Sequence, residues 1–135
     1  MSHVAKVNFE IKDLDALDRA ATALGGELVR GATAFRFYAG QQAPCLHLIQ
    51  LSGDKGGHQI GLRKHVDAEG RICDDSFDLH YDLGYAHNIN RAFGPQASGL
   101  RREYNAQTAE AYLHRKGHRV SRQDTPGQIR LVAIA

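Results

Sequence analysis

At 135 residues the chain has room for one hydrophobic core but not for two. Its 42% hydrophobic and 24% charged residues exclude disorder as the bulk state, and a formal net charge of +2 is too small to demand a polyanionic partner. Nowhere do eighteen apolar residues run together, and the first nine residues lack an apolar signal region. The expectation is a soluble, cytoplasmic protein with no membrane partner. Cys45 and Cys73 are too far apart for a CxxC unit and read as free, buried thiols in a reducing compartment.

In chain order, Ala5, Val7, Phe9 and Ile11 alternate with Lys6, Asn8 and Glu10, which predicts a strand with one wet face. Asp13 suits the N-cap of a helix carrying Leu14, Leu17, Ala21 and Leu24 on one stripe, ended by Gly25-Gly26. Short strand pieces follow at 27–30 and 34–38, with Gly31 as the bend between them. Pro44 introduces a β-rich run over 45–51, and the turn residues 52–57 lead to a strand over 58–65. After a second turn at 67–70, Phe77, Leu79 and Tyr81 alternate with Asp78 and His80. These three runs predict a mid-chain antiparallel meander.

Beyond Gly84 the period becomes helical. Tyr85, Ile89, Ala92 and Phe93 make a short stripe that stops at Gly94-Pro95, and a longer helix runs from about Ala97 to Lys116 with Gly117 as its capping glycine. A hairpin then closes the chain around Pro126-Gly127, with 122–128 resembling a linker. The last strand, 129–135, is apolar on both faces and is expected in the middle of a sheet or under a partner. The whole, 1–135, predicts a single α+β domain: an antiparallel sheet in the order strand, helix, meander, helices, hairpin, with the helices on one face.

The opening Met1-Ser2-His3, the step Ile11-Lys12-Asp13-Leu14, then Leu17, Ala21, Leu24 and Gly25, the mid-chain Gly61-Leu62-Arg63-Lys64, and the closing Leu100, Tyr104, Gly117, Val120, Gly127, Ile129 and Leu131 carry a resemblance. In their order and intervals these residues resemble the hypothetical chloroplast reading-frame family, domain of unknown function 1257, over nearly the whole chain. Members occur in cyanobacteria, plastids and phages, often near ATPase genes of the AAA class. The resemblance implies a fold and a gene context and no reaction.

Among residues that carry chemistry, His58, His65, His80 and His87 fall in the meander and the turn after it, where adjacent strands can converge. They are weak metal candidates, because none forms an HxH, HxxxH or HExxH unit. Asp74, Asp75 and Asp78 are the nearest carboxylates, as ligands or as partners orienting an imidazole. Asp78 and His80 lie two apart on one strand face, so geometry allows a charge-orienting contact between them, but no serine sits in GxSxG and neither cysteine sits in an elbow. The glycines around Lys55 match neither a P-loop nor GxGxxG. No cofactor is implied.

Positive charge collects late in the chain. Arg101, Arg102, Arg115, Lys116, Arg119 and Arg122, with Arg130, outnumber Glu103, Glu110 and Asp124 and give residues 98–135 a local charge of about +4. The first functional reading is a non-catalytic binding or interaction module, an accessory subunit or homo-oligomer working through the last helix and final strand. The second is a nucleic-acid-binding accessory protein using that basic third. The third is a small enzyme or metal protein around Asp78 and His80.

Overall fold

The structure, a computed structural model, describes residues 4–134. Met1-Ser2-His3 and Ala135, the end of the predicted last strand, lie outside the described residues. Strand β1 (Val4–Ile11) leads into helix α1 (Leu14–Ala23), where the Asp13 carboxylate accepts from the Ala16 amide as the spacing predicts. Then come β2 (Gly26–Arg30), β3 (Ala34–Arg36), β4 (Gln42–Pro44), β5 (His47–Leu51), β6 (Ile60–Val66) and β7 (Ile72–Asp82). Helices α2 (His87–Phe93) and α3 (Ser98–Arg115) follow, and β8 (Arg119–Thr125) and β9 (Gln128–Ile134) close the chain. No helix among the described residues is long and apolar enough to cross a membrane.

The main sheet has five antiparallel strands in the order β1-β7-β6-β5-β2, so the predicted meander is its centre. Strand alternation sorts its side chains. Val7, Ile11, Ile49, Ile60, Leu62, Leu79 and Tyr81 form one buried cluster with Leu17, Ala20 and Ala21 of α1, Ile89 and Phe93 of α2, and Leu100 and Tyr104 of α3. All three helices thus cover one face. On the other face, Phe35, Cys45 and Leu48 form a smaller cluster under the β3–β4 hairpin. The two cysteines are free; Cys45 is buried as expected, whereas Cys73 is only half-buried.

The C-terminal hairpin departs from expectation. Strand β9 pairs with β8 alone, in a two-stranded ribbon separate from the main sheet, and is not the central strand that its apolar run suggests. Residues 122–125, read as linker, belong to β8. The ribbon lies against α3, which supplies the cover that a central strand draws from neighbours on both sides. Helix α3 ends as predicted: Gly117 takes a left-handed φ of 86°, and the amide of His118 donates back to the Leu113 carbonyl.

Candidate functional site

Two places gather polar side chains in a shaped setting. The first is a cleft of about 580 Å³ between Phe9 of β1, the Arg101–Asn105 side of α3, and Ile129 and Leu131 of β9. Phe9 stands edge-on to Tyr104, ring centroids 5.3 Å apart, which fixes the floor. Arg102 donates toward the Gly127 carbonyl at 3.4 Å, and the buried Nε of Arg101 has no partner among the described residues.

The six cations do not share one surface. Arg101 and Arg102 line the cleft, while Arg115 lines a different hollow with Arg19, His114 and Glu110. Lys116 sits 5.6 Å from the centre of the Tyr112 ring, and Arg119 opens β8 opposite Ile134. Arg122 is committed internally. It grips the buried Glu103 at 2.8 and 2.5 Å and also reaches Asp124 at 2.8 and 3.1 Å. The guanidinium holds the Glu103 carboxyl below the usual carboxylate range, and the two carboxylates drive Arg122 upward in return.

The second place is the open end of the sheet face that carries no helix. Asp78, only 1% exposed, accepts from Nδ1 of His65 at 2.6 Å, with the Val66 amide at 3.4 Å and Lys6 Nζ at 3.8 Å from its other oxygen. The sequence allows a contact between Asp78 and His80; the structure gives the hydrogen bond of Asp78 to His65, two residues on from Arg63, the register partner of Asp78 on β6. His80 is half-buried, and burial, then the charge of Arg63, holds its ring below the usual histidine range against the pull of Asp78.

Of the four histidines, only His65 lies in a group that could bind a metal. Its partners are Glu10 and Cys73, and the three present ligand atoms within 4.8 Å of one another, the one such group among the described residues. His58 precedes β6 and has a buried Nδ1 without a partner among the described residues; His87 opens α2 on the exposed surface. Asp74 is bound to Lys64 at 2.8 Å on the surface, which lowers its carboxyl, and Asp75 is exposed. Sequence spacing gave no sign of Glu10 or Cys73, since they meet His65 only through strand register. No family model, curated protein or solved structure matches the chain.

Proposed function

We propose that the protein is a non-catalytic interaction module that self-associates through the β8–β9 ribbon, its resemblance to domain of unknown function 1257 being part of that reading. One observation carries it. The far half of strand β9 sets apolar Val132 and Ile134 beyond Arg130 on the face turned from α3, yet β9 has a single strand neighbour among the described residues, so one of its edges is unpaired. Ile129 and Leu131 turn to α3, and by alternation Val132 and Ile134 turn away from it; Ile134 is 43% exposed. A two-stranded ribbon is marginal by itself, and an unpaired edge is a template for another strand. A second copy adding its own β9 antiparallel to the first makes a four-stranded sheet and sets cross-strand neighbours beside the exposed Ile134 and the half-buried Val132.

Sedimentation equilibrium at micromolar concentration tests this. The wild-type chain should be dimeric, and the double substitution Val132→Lys, Ile134→Lys monomeric with unchanged circular dichroism. A wild-type monomer throughout the range overturns the proposal.

A nucleic-acid role is the second reading, and it rests on the unpartnered Arg101 Nε beside Arg102 in the cleft. It requires affinity for a single-stranded oligonucleotide that falls as salt rises and drops on neutralising those two arginines. Affinity indifferent to salt removes it.

A further inference from the structure

We propose that Glu10, His65 and Cys73 form a binding site for a divalent metal ion of zinc type, with Asp78 orienting the imidazole. Cys73 is the register partner of His65 across β6 and β7, so their side chains emerge side by side on one face. Glu10 comes to the same place from β1. Its Oε2 lies 3.9 Å from His65 Nε2 and accepts from the Ser76 hydroxyl at 2.8 Å. A tetrahedral ion with bonds of about 2.0–2.3 Å asks for ligand atoms roughly 3.4 Å apart. Small torsions of Glu10 and Cys73, exposed and half-buried respectively, close the set.

The polarity of the histidine is already set. Asp78 lies 2.6 Å from Nδ1, a contact that favours the Nδ1–H form, and in that neutral tautomer the Nε2 lone pair faces Glu10. A buried carboxylate behind an imidazole is the arrangement that fixes tautomer and raises ligand basicity in metal sites. The donor set decides the ion: sulfur with nitrogen disfavours magnesium and calcium, whereas thiolate, imidazole and carboxylate together suit zinc. Three protein ligands leave the fourth position open to water or to a partner's side chain.

The backbone is irregular on both sides of this point. Between Val7 and Ile11, β1 advances four residues while β7 advances two, from Leu79 to Phe77. Between Phe77 and Cys73, β7 advances four residues while β6 takes one step, from Lys64 to His65. The second irregularity carries Cys73 out of plain alternation with Asp78 and onto the face of His65, while Glu10 keeps the polar face of β1 that it shares with Lys6; bulges beside functional sites are put to such use. The inference does not depend on self-association.

The test is titration of the chelator-treated full chain with Co²⁺, followed by Zn²⁺. The expected result is one Co²⁺ per chain, tetrahedral visible bands, a thiolate charge-transfer band and displacement by Zn²⁺. Cys73→Ser, at a half-buried position, should keep the fold and lose the charge-transfer band, and Asp78→Asn should weaken binding about 10–100-fold. Should the buried Asp78 substitution fail to fold, protection of Cys73 from iodoacetamide by Zn²⁺ in the wild-type chain decides the same point. Absence of a thiolate band in the wild type, its persistence in Cys73→Ser, or an unprotected Cys73 overturns the proposal.

Discussion

Arg122 reaches back from β8 to Glu103 on α3 and binds it with both arms of the guanidinium, Nη1 to Oε1 at 2.8 Å and Nη2 to Oε2 at 2.5 Å. Glu103 is 4% exposed, so this pair is the buried polar anchor of a ribbon that otherwise rests on Ile129, Leu131 and the Arg102 contact to the Gly127 carbonyl. Removing Arg122 leaves the buried carboxylate with Gln107 as its remaining donor, at 3.3 Å. Arg122→Ala should therefore cost about 2–3 kcal/mol in urea unfolding, whereas Arg122→Met with Glu103→Leu should recover most of it. A single-variant loss below about 0.5 kcal/mol means that the ribbon does not depend on this ion pair.

Acid should weaken the fold in two stages. His80 lies between Lys6 and Gly61, and its folded ring resists protonation. The unfolded chain takes up that proton near the ordinary value of about 6.5, so the unfolded state binds more protons below it. Stability is full above about pH 6.5 and falls as pH drops toward the lower folded value. Glu103 acts in the same direction further down: its depressed carboxyl stabilises above about pH 4.3, the unfolded value, and the contribution goes as pH falls through the folded one. Melting temperatures from about pH 7.5 to about 5.5 should decline in the wild type and decline less in His80→Gln. Parallel curves for the two proteins refute the assignment to His80.

The hydroxyl of Tyr104 accepts from the backbone amides of Lys12 and Asp13 at 3.0 and 3.1 Å, joining α3 to the start of α1. Those amides enter a helix and have few other partners. Tyr104→Phe keeps the ring against Phe9 and strands both donors, so a loss of roughly 1–2 kcal/mol is expected in thermal or urea unfolding. Hydrogen exchange should quicken first at Lys12 and Asp13; uniform exchange across α1 contradicts this.

What could be read from the chain was what local periodicity encodes. Phe77, Leu79 and Tyr81 announce the central strand, Asp13 caps α1, and Gly117 ends α3. Periodicity names a face to be covered and not the element that covers it. The run from Ile129 to Ile134 therefore reads equally as a central strand or as a ribbon against a helix, and the structure takes the second. The same blindness hid the polar cluster. His65, Asp78, Glu10 and Cys73 belong to three strands, and strand order together with the register shift that pairs Cys73 with His65 sets their meeting, which no spacing along the sequence records.

Gly61 carries the close contact of the other sheet face. A Cβ at this position would overlap the ring of Phe35, which is fully buried beneath the β3–β4 hairpin. Phe35 in turn packs with Cys45 and Leu48, and burial pushes the Cys45 thiol up from its ordinary range. Gly61→Val must lift the Phe35 ring and the hairpin with it, because the strand backbone beneath is held by pairing on both sides. Overpacking of this kind costs about 1–3 kcal/mol. The distinguishing readout is the thiol: Cys45 should react with iodoacetamide several times faster in Gly61→Val than in the wild type, while α1, α2 and α3 keep their circular dichroism. Phe35→Leu in the same chain should relieve the overlap and slow the reaction again. If Cys45 reacts no faster in Gly61→Val, the hairpin does not depend on this glycine for its seat.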